Sequence, residues 1–135
     1  MKYIREATVM YADTDSYQVV WHGAYLRWLE EGRYSLCKAI GIDIEKLEKE
    51  GTTFPIVDIR VRYKSPAKIF EAIEIETKIK EVNKRTITFE QIVRNKEKGQ
   101  VHITGEVVCV SVSTKELKMA KLPEELYSKF NSAKE

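Results

Sequence analysis

One run of helical period, set between a first extended segment and four later ones, most limits what this chain can fold into. From about Gly23 the apolar and small residues Tyr25, Trp28, Leu29, Gly32, Leu36 and Ile40 recur at spacings of three and four. Arg27, Glu30, Glu31, Arg33 and Lys38 take the remaining faces, so the stretch predicts a long amphipathic helix ending near Gly41. Asp43 then caps a short helix from Ile44 to Glu50, closed by Gly51. Beyond it the period changes to two. Val57 to Lys64 alternates apolar with charged side chains, the mark of a strand with one buried face, and Pro66 ends it. Ile73 to Lys80 repeats the alternation, and a turn at Asn83-Lys84 leads to a strand from Thr86 to Val93. After Lys96-Glu97-Lys98-Gly99 the longest strand runs from Val101 to about Val112. Its middle, Val107-Val108-Cys109-Val110, is apolar on both faces, which predicts a central, doubly covered strand. Residues 2–12 form an imperfect first strand, and Pro123 at a first helical position opens a terminal helix over Glu124 to Phe130.

The resulting βαββββ order describes an α+β domain in which a five-stranded antiparallel sheet wraps one long helix, and 135 residues fit one such domain, 1–135. Gly32 would let the sheet approach the helix closely. A single helix covers one sheet face over part of its length, so apolar surface and open edges remain, and association with further copies is the natural remedy. The 23 basic and 21 acidic side chains nearly cancel, leaving a formal charge of +2 and no general attraction to nucleic acid or an anionic membrane. Lys2-Tyr3-Ile4-Arg5 is followed by no apolar run, and no stretch has the length and apolarity of a membrane span, so the expectation is a cytoplasmic protein. Cys37 and Cys109 stand apart from any Cys/His cluster and read as buried reduced thiols. His22 and His102 are too few and too separated for zinc, and His102 reads as a surface residue on its strand.

The stretch from Tyr11 to Tyr25 carries the chemistry. Asp13, Thr14 and Asp15 have short side chains that bond nearby backbone amides and favour a turn between the first strand and the helix. Gly23 and Ala24 place no large side chain at the helix entrance, where free N–H groups carry the positive end of the helix dipole. A carbonyl set against those amides would be polarised as in an oxyanion hole, with Asp15 and His22 close by in sequence. The arrangement suits acyl transfer.

These residues, with the element order, resemble the hotdog-fold acyl-CoA thioesterases, specifically the 4-hydroxybenzoyl-CoA thioesterase-like family. The resemblance rests on Tyr11-x-Asp13-x-Asp15, Val19-Val20-Trp21-His22 and Tyr25-Leu26-Arg27-Trp28-Leu29-Glu30-Glu31-Gly32-Arg33. Phe54-Pro55-Ile56-Val57, Tyr63-Lys64-Ser65-Pro66-Ala67 and the acid Glu71 extend it over nearly the whole chain. It implies hydrolysis of an acyl-CoA to free acid and coenzyme A, with no metal or other cofactor, by a homodimer or homotetramer whose active site forms at a subunit interface. By position the catalytic carboxylate falls on Asp15, as nucleophile through an anhydride or as general base, and the oxyanion-hole amide falls around His22 and Gly23. His22 acts through its imidazole or only through its backbone. Asp13 shapes the turn, while Glu30 and Glu31 belong with Arg27 and Arg33 to a solvated charge network.

For the phosphates of coenzyme A the resemblance points to Lys84 and Arg85; Arg60, Arg62, Lys64 and Lys68 form a further basic set, of which Lys64 joins the candidates and Arg60 and Arg62 read as the solvated face of a strand. Two positions depart from the family pattern, Gln18 where glycine is usual and Ala24 where asparagine is usual. Gln18 keeps open a second reading, a non-catalytic module that binds an acyl thioester as sensor or carrier. A third, enoyl-CoA hydratase chemistry, sets Asp and His closer together than Asp15 and His22 stand.

Overall fold

The computed structural model describes residues 1–134. Its elements follow the predicted order. β1 (Lys2–Thr8) leads through a 3-10 turn at Tyr11–Asp13 to the long helix α1 (His22–Ala39), followed by α2 (Ile44–Glu50). Then come β2 (Thr52–Thr53), β3 (Ile56–Tyr63), β4 (Ala72–Val82), β5 (Thr86–Asn95), β6 (Val101–Val110), β7 (Val112–Ser113), β8 (Lys118–Met119) and α3 (Glu124–Ala133). Both ends of α2 are as read: the Asp43 carboxylate accepts from the Lys46 amide at 3.1 Å, and Gly51 closes the helix at φ 97°. Pro123 caps α3 from just outside instead of occupying its first turn.

The main sheet has five antiparallel strands in the order β1-β4-β5-β6-β3. β5 is therefore the middle strand, and β6, predicted to be central, lies beside the edge. Of its apolar run, Val107, Cys109 and Val110 are buried and Val108 is half-buried. A small second sheet, β2-β7-β8, joins pieces of two residues each, too short to show a period.

α1 packs across β4, β1 and β5 and buries Trp28, Leu29, Leu36 and Cys37. Gly32 marks the crossing. A Cβ there would lie 2.5 Å from Thr77 Oγ1, 2.8 Å from Ile75 Cγ2 and 3.0 Å from Gln91 Nε2. Into that gap Gln91, fully buried, sends its amide to donate to the Leu29 carbonyl and to Thr77 Oγ1, both at 2.8 Å. A buried amide is tolerable because its bonds are made.

β3 departs from expectation. Its alternation predicts one buried face, yet Ile56, Val57, Ile59 and Tyr63 are all exposed and only Val61 is half-buried. The reason is reach, since α1 packs mainly on β4, β1 and β5 and meets β3 through His22 and Tyr25 at its Tyr63 end. Periodicity shows that a face is apolar without showing what lies against it.

Candidate active site

Around Asp15 the chain makes a tight hairpin ahead of α1. Thr14 bridges to Val20, the Asp15 amide donates to the Val19 carbonyl at 2.9 Å, and the Trp21 amide donates to the Asp13 carbonyl at 3.1 Å. Asp13 is the buried anchor of this turn. One of its carboxylate oxygens accepts from the Met10 amide at 2.9 Å and the other pairs with the Arg27 guanidinium of α1. Asp15, by contrast, is exposed at the tip; one oxygen accepts from the Tyr17 amide at 2.8 Å, and no cation among the described residues pairs with it.

Gln18 closes this turn from the left-handed region. At φ 63° its amide donates to the Asp15 carbonyl at 2.9 Å, so the departure from glycine leaves the loop closed. A left-handed L-residue costs roughly 1–2 kcal/mol, against roughly 0.5–1 kcal/mol of extra chain entropy lost by glycine. Gln18→Gly is therefore expected to raise stability by about 0.5–1 kcal/mol. Denaturant unfolding checks this, and an unchanged or lower midpoint would contradict it.

The amides of His22 and Gly23 make no hydrogen bond among the described residues, while that of Ala24 donates to the Trp21 carbonyl at 3.1 Å. The entrance is less open than the small residues suggest. The Trp21 indole folds against Gly23, so that a Cβ there would meet Trp21 Cη2 at 2.1 Å. The His22 ring packs on Tyr63 at the end of β3, with centroids 5.2 Å apart, and Tyr63 in turn packs on Tyr25 at 5.7 Å. Lys64 follows Tyr63 and so lies at this end of the sheet.

The segment from Lys64 to Glu71 forms the wall. Val19 bridges to Lys68, the Val20 amide donates to the Ala67 carbonyl at 3.0 Å, and the Ala67 amide donates to the Tyr25 hydroxyl at 2.9 Å. Burial raises the pKa of that hydroxyl and keeps it protonated. His102 holds the segment from beneath. Read as a surface residue, it is 1% exposed, because the segment folds over it; Nε2 meets the Glu71 carboxylate and Nδ1 lies 2.9 Å from Ser65 Oγ. Burial alone would raise the pKa of Glu71, but the His102 contact and further hydrogen bonds outweigh it and lower it. The pairing of Tyr63 with Ile103, which brings His102 under Ser65, belongs to the fold and has no local sequence sign.

Lys84 and Arg85 stand elsewhere. They lie in the β4–β5 turn, at the Val82 end of β4, whereas Glu71 and the Asp15 hairpin lie at its Ala72 end, about 33 Å away along the strand. Among the described residues no helix is long and apolar enough to cross a membrane, and no three His, Cys, Asp or Glu side chains gather as metal ligands do.

A family model described as the thioesterase-like superfamily matches residues 9–130. The chain belongs to that superfamily. Within it, YneP of Bacillus subtilis is 34% identical over 107 residues, covering 78% of each chain. The acyl-CoA thioester hydrolase YbgC of Escherichia coli O6:H1 is 28% identical over 122 residues, covering 90% of each. Among solved structures, the DHNA-CoA thioesterase of Staphylococcus aureus superposes with a TM-score of 0.92 at 24% identity, covering 97% of this chain and 89% of that one. The sheet and its helix thus form the hotdog thioesterase fold, as the opening motif and the element order implied.

Proposed function

We propose that this member of the thioesterase-like superfamily hydrolyses an acyl-CoA to a free acid and coenzyme A. The observation that carries the reading is the pairing of an exposed, uncompensated carboxylate at Asp15 with the unbonded amides of His22 and Gly23, joined by a turn that Asp13 and Arg27 hold. Hydrolysis joins a water oxygen to the acyl carbon, breaks the carbon–sulfur bond and returns a proton to the departing thiolate. The two amides stabilise the oxyanion that forms when the carbonyl is attacked. Asp15 takes the proton of the attacking water, or attacks first and is released from the anhydride by water. The test is thiol release from a panel of short, long and aromatic acyl-CoAs, and the absence of release from all of them would refute the reading.

The site is completed by a second copy. β3 is an edge strand with its apolar residues exposed, and antiparallel pairing of two β3 edges turns one sheet end for end against the other. Each chain's Lys84 and Arg85 then approach its partner's Asp15 end, which accounts for their distance from it within one chain. Lys64 lies beside the same junction, so the three cations meet the phosphates of coenzyme A from both chains.

Ile59, 39% exposed in the middle of β3, is a mild position to alter in the single chain. Ile59→Lys is expected to halve the molar mass measured by light scattering and to lower hydrolysis by about tenfold or more, through like-charge repulsion across the paired edges. A variant that stays associated, or a fully active single chain, would contradict the shared site.

A further inference from the structure

Behind the hairpin, the same face of α1 leads to a buried charge with no salt bridge among the described residues, Glu30 acting on it only from a distance. Arg33 is 8% exposed, donates once, to Gln91 Oε1 at 3.1 Å, and pairs with no carboxylate among the described residues. It lines a cavity of about 390 Å³ with Phe54, Phe89, Phe130 and Ile87, and the exposed Glu30 and Glu48 stand on the same lining. A buried guanidinium has five N–H donors in a fixed fork, and desolvating it without an anion is costly. Burial lowers its pKa, and an arginine guanidinium keeps its charge in proteins. Nor does either thiol nearby supply the anion: burial pushes Cys37 up to about 12 and raises Cys109 as well.

A chamber walled by aromatic and aliphatic side chains, whose one buried charge is a fork-shaped cation and whose two carboxylates are exposed to water, fits an apolar body ending in a carboxylate. Gly23, Glu30 and Arg33 follow one another along one face of α1, and ten residues of helix span about 15 Å. Side chains lean toward the helix N-terminus, so Arg33 reaches back along that distance. We infer that the cavity receives the far end of the acyl group and that Arg33 binds a carboxylate there, making medium-chain ω-carboxyacyl thioesters the preferred substrates. The substrate class rests on the thioesterase reading; the carboxylate site does not.

Two measurements separate them. In calorimetric titration, decanoate is expected to bind about tenfold or more tightly than decanol, as a charge-assisted bidentate pair requires, and Arg33→Met to erase that ratio while Arg33→Lys keeps part of it. Equal binding of acid and alcohol by the wild type, or a ratio that survives in Arg33→Met, would overturn the site. In thiol release, ω-carboxynonanoyl-CoA is expected to exceed decanoyl-CoA in kcat/KM by about tenfold, with the preference lost in Arg33→Met. Equal rates would overturn the substrate class. Selective decanoate binding with no hydrolysis of any thioester would leave the carboxylate site standing, overturn the substrate class and sink the thioesterase reading.

Discussion

Asp15→Asn is expected to leave the protein folded and to lower kcat for acyl-CoA hydrolysis by about 10²–10⁴-fold, the range for removing a positioned acid–base group. The substitution is a clean chemical probe because of where the carboxylate sits. Its local structural task is to accept the Tyr17 amide at 2.8 Å, and the amide oxygen of asparagine accepts that bond equally well. Asparagine lacks the charge needed to take a proton from water or to attack a carbonyl. The unfolding midpoint should therefore hardly move while turnover collapses. Asp13→Asn should divide the other way, since it weakens the pair between the buried Asp13 carboxylate and the exposed Arg27 and disturbs the turn as a whole. A wild type that hydrolyses acyl-CoA and an Asp15→Asn variant that does so equally well would remove Asp15 from the chemistry. A wild type that binds acyl-CoA without hydrolysing it would favour the sensor reading that Gln18 kept open.

Gly32→Ala should have the largest effect on stability. Helix propensity alone favours alanine by roughly 1 kcal/mol. Packing opposes it more strongly, because the added Cβ falls 2.5 Å from Thr77 Oγ1 and 2.8 Å from Ile75 Cγ2, both buried, where nothing flexible can yield. Overpacking of that kind costs about 1–3 kcal/mol, and displacing the Gln91 amide from Thr77 and Leu29 adds about 1–3 kcal/mol for a buried group left unpaired. The net expectation is a loss of about 1–5 kcal/mol, read from the denaturation midpoint in urea. Stability equal to or above the wild type would mean that α1 and the sheet can separate at little cost, against the tight crossing described above.

Much of this architecture was legible because helix and strand periods differ and each long element carries its own. α1, α2, β4 and β5 lie close to where the spacing puts them, and the caps at Asp43 and Gly51 do what their side chains and backbone favour. What escaped depended on partners. The alternation of β3 reports an apolar face, but the limited reach of α1 leaves it open. His102 has nothing beside it in sequence to set it apart from a surface histidine; only the strand pairing and the overlying segment enclose it. Lys84 and Arg85 lie at the far end of the sheet because a hairpin turn must stand where its strands end. Gly23 and Ala24 promised an open helix entrance, yet the neighbouring indole of Trp21 folds across it, a rotamer choice that spacing does not record. In the loop itself Asp13 turns inward and holds the turn, as its short side chain favours, while Asp15 stays exposed and accepts the Tyr17 amide.

The two edges of the main sheet are unlike. β3 offers Val57, Ile59 and Tyr63, whereas the opposite edge, β1, offers Lys2, Arg5 and Glu6, whose charges are already engaged by Glu76, Ser35 and Lys96 of the same chain. A sheet built this way carries its own stopping rule. The two-fold pairing proposed for β3 would use that edge in both copies and turn the charged β1 strands outward, so the residues that welcome one neighbour would leave no template for a growing fibre.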